Sequence, residues 1–201
     1  MIYYIYCFQL SILLYCMSEQ ALRGGTALID PLMIISRLDI HDGDIVADLG
    51  CGGSGHFVGP LAKAVGLKGK VYAVDIQKNV LKVVEGKMKQ EHIVNVIPVW
   101  SDLERGGIVE IPPESCDLAI LINILFQNTK HDRIVQEASR MIKSVGRLMV
   151  IDWKTSGSPF GPPSDRRVSP QRVKDIAQEL HLSLLDEFDA GPYHYGLIFK
   201  K

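Results

Sequence analysis

The chain has few cysteines and no excess of either charge, and both shortages exclude classes of function. Only four of its 201 residues are cysteine, and no two form a C-x-x-C pair, so the sequence indicates neither a disulfide scaffold nor a zinc site. The six histidines include no H-x-x-x-H pair, and we expect no metal site. Basic residues number 22 against 23 acidic ones, and no basic run exceeds two residues. The chain therefore lacks the direct electrostatic footprint of a nucleic-acid-binding protein.

Residues 1–17 contain no charged side chain at all. They have neither the basic amino-terminal region nor the small-residue cleavage site of a secretory signal, and no basic flank frames them as a spanning helix. Met17 begins the polar run MSEQALRGG. We interpret residues 1–17 as a mis-assigned start or an unstructured leader, with a membrane anchor as the alternative. Without an anchor, we expect a cytoplasmic protein that does not contact membranes.

The rest of the chain alternates short apolar runs with helical patterns, which indicates an α/β fold. Residues 18–44 read as a helical lead-in and residues 45–201 as one domain. The last two strands, predicted at 182–188 and 195–199, are separated by too few residues for a crossover helix and should be antiparallel. Pro98 lies inside the third predicted strand, 94–100, and favours a place at the sheet edge because proline has no N–H for a central ladder. The other strands are predicted at 70–76, 116–123 and 147–153, and helices at 32–38, 56–66 and 78–90.

A glycine-rich turn follows the first predicted strand, in the run Ile45-Val-Ala-Asp-Leu-Gly-Cys-Gly-Gly-Ser-Gly55. Its glycines match the dinucleotide fingerprint G-x-G-x-x-G, which places a ligand on the exposed N–H groups of a helix start. Asp48, two residues before the first glycine, argues against that ligand because a carboxylate repels a pyrophosphate. A ligand that carries a sulfonium cation and an amino group would instead be attracted.

With Asp48 included, the run Asp48-x-Gly50-x-Gly52 resembles the [DE]-x-G-x-G-x-G motif of class I S-adenosylmethionine-dependent methyltransferases. Residues 30–201 are most similar to the small-molecule enzymes of the ubiquinone/menaquinone-biosynthesis type. The cysteines that arsenite methyltransferases need are missing. The resemblance implies one doubly wound sheet of seven strands, in the order 3-2-1-4-5-7-6 with the last strand antiparallel, and helices on both faces. The chain departs from the motif at Ser54, with glycine one residue late at Gly55.

The same resemblance implies S-adenosyl-L-methionine as the cofactor and names the residues that would hold it. The glycine turn would lie under the methionine part and ribose, and an acid after strand two would accept the ribose hydroxyls. An acid after strand three would pair with the adenine amino group, and the end of strand four would line donor and acceptor. The implied cofactor-binding residues are Asp48, Gly50, Cys51, Gly52, Gly55, Asp75, Ile76, Asp102, Leu103 and Asn123.

The sequence therefore predicts an S-adenosylmethionine-dependent methyltransferase that acts on an unidentified acceptor, most simply a small molecule. Asp152 and His194 are the candidates for a general base that takes the acceptor's proton. An NAD(P)-binding oxidoreductase is the first alternative, since Asp75 would suit its ribose too, although the Tyr-x-x-x-Lys pair of short-chain dehydrogenases is missing. A catalytically silent subunit with the same fold is the second. The long loop 154–168 is where we expect acceptor specificity, and the oligomeric state is not predicted.

Overall fold

A computed structural model describes residues 28–156 and 160–201. The leader predicted at 1–17 and the first part of the predicted lead-in lie outside the described residues. The strands are β1 (Ile45–Leu49), β2 (Lys70–Asp75), β3 (Val96–Trp100), β4 (Cys116–Ile122), β5 (Ile142–Trp153), β6 (Ser183–Asp189) and β7 (His194–Lys200). The α-helices are α1 (Pro31–Ile35), α2 (Val58–Ala64), α3 (Lys78–Gln90), α4 (His131–Met141) and α5 (Pro170–Glu179), with 3-10 turns at Leu125–Gln127 and Ser164–Arg166.

All seven strands form one sheet in the order β3-β2-β1-β4-β5-β7-β6. The first five strands are parallel, and β7 runs antiparallel to both of its neighbours, β5 and β6. The predicted strand order and the reversed last strand are both confirmed. Because parallel strands need crossover connections, helices cover both faces of the sheet.

Two apolar cores lie on the two faces of the sheet. Helices α4 and α5 bury Ile134 and Val173 against one face, and α1, α2 and α3 bury Ile34, Leu61 and Val84 against the other. Central strands β1 and β4 are buried almost throughout, as expected for strands covered on both sides. No helix within the described ranges has the length and apolar character needed to cross a membrane.

Pro98 lies in β3 at the sheet edge, as the sequence predicts. The Val71 N–H donates to the Asn95 carbonyl, and the Ser101 N–H donates to the Asp75 carbonyl. Backbone groups of a strand alternate between its two sides, so the odd-numbered residues here face β2. Pro98 therefore occupies the outward side, where no ladder bond is lost.

Several boundaries differ from the predicted ones by a few residues, and two of these differences have local reasons. Helix α2 begins at Val58, two residues later than predicted, because the turn through Gly55 (φ +52°) still shapes the backbone before it. Strand β5 begins at Ile142 directly after α4, five residues earlier than Arg147. Ile142 already has an extended backbone, with φ −77° and ψ 143°, and its pairing with β4 passes through an irregularity.

Candidate active site

The carboxyl ends of β1, β2 and β3 and the turn after β4 enclose a cavity of about 310 Å³. Parallel α/β sheets bind ligands at this edge, because the helix starts and connecting loops converge there. The lining residues are Gly50, Gly52, Gly53, Asp75, Ile76, Gln77, Val80, Ser101, Asp102, Leu103, Ile124, Gln127 and Asn128.

The three motif glycines, Gly50, Gly52 and Gly55, all have positive φ but have different structural roles. A Cβ on Gly50 would collide with the Ile124 side chain, and one on Gly55 would lie 3.2 Å from Val84. A Cβ on Gly52 would meet no atom within 4 Å and would project into open space. The Gly55 N–H donates to the Gly52 carbonyl over 3.0 Å, which closes a turn around the extra residue Ser54. Gly50 and Gly55 are therefore required by packing, whereas Gly52 leaves room for a ligand.

Asp75 joins the end of β2 to the glycine turn. Its Oδ1 accepts from the Gln77 N–H at 2.8 Å and its Oδ2 from the Gly52 N–H at 3.2 Å. These two backbone bonds fix the carboxylate plane at the cavity wall. Each oxygen keeps further acceptor capacity, so the pair can take two adjacent hydroxyl donors.

Asp48 lies behind the cavity lining and is almost completely buried. Burial, together with the smaller effect of the nearby charge of Asp75, raises the pKa of its carboxyl to about 7. Near neutral pH this carboxyl is therefore partly protonated. A cation brought close to it would favour the ionised form.

Asp102 and two apolar side chains form the other end of the cavity. The Asp102 Oδ1 accepts from the Glu104 N–H at 3.0 Å, and Arg105 Nε lies 3.5 Å from its Oδ2. Ile76, which is 55% exposed, and Leu103 line the same cavity. An apolar wall beside an acceptor oxygen suits a flat heterocycle with an amino group.

The turn after β4 supplies lining residues that sequence reasoning missed. Gln127 donates through Nε2 to the Asn123 carbonyl at 2.6 Å, and Asn128 donates through Nδ2 to the Ile124 carbonyl at 2.8 Å. Asn123 itself is buried, with φ +57°, and does not line the cavity. The resemblance implies that Asn123 lines the donor site, but no pattern in the sequence predicts the 3-10 turn Leu125–Gln127 that follows it.

Asp152 is fully buried and holds that turn in place. Its Oδ2 accepts from the N–H groups of Leu125 (3.0 Å) and Phe126 (3.3 Å), and its Oδ1 accepts from Trp153 N–H. Burial raises the pKa of Asp152 to about 7, although the three hydrogen bonds act in the opposite direction. The carboxylate is absent from the cavity lining.

His194 is also fully buried, with its ring centroid 4.2 Å from that of Trp153. Neither imidazole nitrogen has a hydrogen-bond partner among the described residues. Burial, together with the smaller effects of the charges of Lys154 and Arg167, lowers the pKa of His194 to about 4. The ring is therefore neutral at pH 7, and it too lies apart from the cavity lining.

Comparison with known proteins decides the family. The methyltransferase domain family matches residues 47–150, which is more than half of the chain. This chain belongs to the methyltransferase domain family. The methyltransferase interpretation is thereby favoured over the dinucleotide-binding oxidoreductase.

Similar proteins agree with this family. The chain is 26% identical over 146 residues to the ubiquinone/menaquinone biosynthesis C-methyltransferase of Cupriavidus metallidurans, covering 73% of this chain and 58% of that protein. It is 28% identical over 120 residues to the demethylmenaquinone methyltransferase of a Geobacillus species, covering 59% of this chain and 49% of that protein. This methyltransferase chain thus spans about half to three fifths of the length of these curated relatives.

A solved structure extends the similarity over most of the fold. The S-adenosylmethionine-dependent methyltransferase of Aquifex aeolicus has a TM-score of 0.78 and 25% sequence identity to this chain, with 87% of this chain and 91% of that chain covered. Against this methyltransferase fold, the predicted site residues divide into two groups. Gly50, Gly52, Asp75, Ile76, Asp102 and Leu103 line the cavity; Asp48, Cys51, Gly55, Asn123, Asp152 and His194 do not. Burial raises the pKa of the Cys51 thiol, which makes it unsuited to act as a nucleophile.

Proposed function

We propose that this chain is an S-adenosylmethionine-dependent methyltransferase that acts on a small-molecule acceptor. The observation that carries the proposal is the open space in front of Gly52, flanked by the oriented carboxylates of Asp75 and Asp102. A cavity of about 310 Å³ with an apolar wall fits a nucleoside at this edge of the sheet. Membership of the methyltransferase domain family supports the same conclusion.

Different side chains would bind different parts of the donor. Asp75 would accept the two ribose hydroxyls, and Asp102 would accept from the adenine amino group. Ile76 and Leu103 would pack against the two sides of the adenine ring. Asp48 would face the donor's positive charge from behind the glycine turn, and this charge would lower its raised pKa.

Bound S-adenosylmethionine would supply an activated methyl carbon: the acceptor's lone pair forms the new bond to it while the carbon–sulfur bond breaks toward sulfur. The protein's contribution is then alignment and exclusion of water. We propose that Asp152 acts by positioning the turn Leu125–Gln127, because its oxygens already accept three backbone N–H groups. His194 would bind the acceptor by hydrogen bonding, since an imidazole with pKa about 4 takes up a proton only weakly at pH 7.

The acceptor class, the domain bounds and the cellular location predicted from the sequence are also part of this proposal. The relatives named above act in ubiquinone and menaquinone biosynthesis, and their names favour a small-molecule acceptor. We place residues 45–201 in one catalytic domain, with residues 18–44 as its lead-in. We also place the enzyme in the cytoplasm, in keeping with its buried free thiols Cys51 and Cys116.

Calorimetric titration of the full chain with S-adenosylhomocysteine, and separately with NADH, tests the proposal. We expect saturable binding of the first ligand only. Asp75→Ala should weaken that binding at least tenfold, because two hydrogen bonds to a charged acceptor are lost. Asp175→Ala, which removes an exposed carboxylate on α5, serves as the matched control.

Three outcomes would contradict the proposal in different ways. Binding of NADH alone would favour the oxidoreductase. Equal affinity in the Asp75 and Asp175 variants would remove the assigned ribose contact. Donor binding without transfer of a labelled methyl group to any acceptor in a broad small-molecule panel would favour the silent subunit.

A further inference from the structure

A second cavity, of about 250 Å³, lies between residues 105–107 and helix α4. As the structure describes them, this cavity and the donor cavity share no lining residue. Its volume is below the roughly 300–1,000 Å³ of pockets for drug-sized ligands, so it suits a small ligand. Its α4 residues recur at the spacing of one helix face. The lining residues are Arg105, Gly106, Gly107, Arg133, Gln136, Glu137 and Arg140.

Positive charge prevails in this lining. Arg105, Arg133 and Arg140 supply three guanidinium groups, and Glu137 is the one carboxylate among the described lining residues. The Glu137 carboxylate already accepts from the Ile108 N–H at 2.9 Å and from Arg140 Nη2 at 2.7 Å. It therefore neutralises Arg140, and two guanidinium groups of the lining remain.

Several N–H donors of the lining have no acceptor within the described parts of the chain. They are the guanidinium of Arg133, the side-chain amide of Gln136 and the Nη1 group of Arg140. Arg140 is held in place by its bonds to the carbonyls of Ile108 (3.1 Å) and Ile111 (3.0 Å). One exposed arginine alone is a common surface feature. Unused guanidinium donors around one cavity instead suit an oxyanion, which accepts several N–H bonds at once.

The loop wall of the cavity carries no side chain at two successive positions. Gly106 and Gly107 both have positive φ, +66° and +70°. A Cβ on Gly107 would meet no atom within 4 Å, whereas one on Gly106 would lie 3.4 Å from Glu137 Oε2. The backbone at Gly107 is therefore open to a ligand, as it is at Gly52 in the donor cavity.

The carboxylates near the cavity do not cancel the charge of Arg133. Glu104 accepts from the Lys130 N–H at 3.1 Å, and Asp132 forms an ion pair with Arg172. Glu110 is absent from the lining. Arg133 itself makes no ion pair with any residue that the structure describes.

Arg105 connects this cavity to the donor cavity. Its Nε lies 3.5 Å from Oδ2 of Asp102, which lines the donor cavity. The other oxygen of Asp102 already accepts from the Glu104 N–H. Arg105 thus competes with a donor's amino group for Oδ2. Because the Arg105 side chain is 86% exposed, this ion pair is weak and a nearby anion can displace it.

We propose that the cavity between residues 105–107 and α4 binds a compact anion of the phosphate type between Arg105 and Arg133, and that this anion strengthens donor binding. The anion would draw Arg105 away from Asp102 and leave Oδ2 to the adenine amino group. The anion site stands apart from the proposed function, and only the coupling rests on it. A free anion and a phosphate ester present the same chemistry, so both are tested.

Calorimetric titration of the full chain in phosphate-free buffer at constant ionic strength tests the site. Pyrophosphate is the free anion, phenyl phosphate the ester, and phenol the neutral counterpart of the ester. We expect saturable binding of at least one anion and none of phenol, and the anion that binds identifies the source.

Substitution of Arg133 locates the bound anion. Arg133→Gln should weaken anion binding at least tenfold, because charge-assisted hydrogen bonds are lost. Arg166→Gln, at an exposed arginine outside the cavity, should leave it unchanged. Both variants should keep S-adenosylhomocysteine affinity within about twofold, which shows that they are folded.

Titration of S-adenosylhomocysteine with and without the saturating anion tests the coupling. We expect the anion to tighten donor-site binding by about two- to threefold, the scale of an exposed ion pair, and the ligand to tighten anion binding by the same factor. In Arg105→Gln the S-adenosylhomocysteine affinity should no longer depend on the anion.

The outcomes separate this inference from the proposed function. Absence of saturable anion binding, or equal affinity in the Arg133 and Arg166 variants, would overturn the site. An unchanged S-adenosylhomocysteine affinity in the presence of bound anion would refute the coupling. Failure of S-adenosylhomocysteine to bind the unsubstituted chain would refute the donor site, while the anion titration, made without that ligand, still decides the second cavity.

Discussion

Replacing Asp48 with asparagine should make the protein more stable at alkaline pH while weakening donor binding. The carboxyl is almost completely buried behind the glycine turn, and burial raises its pKa from 3.8 to about 7. The folded protein therefore binds this proton more tightly than the unfolded chain does. Stability is lost as the pH rises from about 4 to 7, because folding then requires an unfavourable buried charge.

The size of the effect follows from the two pKa values. A difference of about three pH units corresponds to about 4 kcal/mol of lost stability once the pH is above 7. At pH 5 only part of this cost is present, because the folded carboxyl is still protonated while the unfolded one has mostly ionised. Asparagine never ionises, so the advantage of Asp48→Asn in the free energy of unfolding should grow by roughly 2–3 kcal/mol between pH 5 and pH 8.

Urea unfolding of both proteins at pH 5 and pH 8 measures this change. Any packing or hydrogen-bonding cost of the amide is the same at both pH values and cancels, as does the contribution of Asp152. Asp175→Asn, at an exposed carboxylate, should show no such growth. An advantage that is unchanged between the two pH values would show that Asp48 is ionised in the folded protein and would refute the reasoning.

Four further substitutions test ligand contact, packing and buried hydrogen bonds. Gly52→Ala should cost about 1 kcal/mol for its positive φ yet abolish S-adenosylhomocysteine binding by calorimetry, whereas Gly50→Ala should destabilise the fold by more than that. Tyr195→Phe should lower the unfolding free energy by about 1–2 kcal/mol in urea, because a buried carbonyl loses its donor. Arg140→Met should lower the free energy of unfolding by about 3 kcal/mol at pH 7, because the buried Glu137 carboxylate loses its ion-pair partner. The loss should be smaller at pH 4, where that carboxylate can take up a proton. Burial alone would raise the pKa of Glu137, but its hydrogen bonds, chiefly from Arg140, hold that pKa below its ordinary value.

Local chemistry made most of the fold predictable. Pro98 favours an edge position for β3, because proline has no N–H for a central ladder. The link before β7 is too short for a crossover helix, so β6 and β7 should be antiparallel neighbours. These two features constrained the strand order. The rest of the strand order followed from the family resemblance that is carried by Asp48 and the motif glycines. The early start of β5 was not predictable, because Ile142 continues the apolar pattern of α4 and becomes extended only through its pairing with β4.

Site residues that directly follow a predicted strand were predictable from the sequence. Site residues that are placed by tertiary contacts were not. Asp75 and Asp102 follow predicted strands directly, and both line the cavity. Asp152 also ends a strand, but its carboxylate lies inside and binds the turn after β4, a partner 26 or 27 residues away. Gln127 and Asn128 line the cavity because that turn is folded, and no periodicity in the sequence marks it.

The two edges of the sheet bear on how this protein avoids aggregation. The outer side of β3 lacks an N–H at Pro98, in the middle of the strand, so a passing strand finds no continuous row of donors there. The opposite edge, β6, exposes Leu184 and Leu185 but also carries Asp186, Glu187 and Asp189, with a shift in its pairing between Leu184 and Asp186. These three carboxylates form ion pairs with Arg37, Lys174 and Lys154, so a strand that docks on this edge meets charged pairs and an irregular register. One end of the sheet is thus closed to growth by a missing donor and the other by charged side chains and a shifted register.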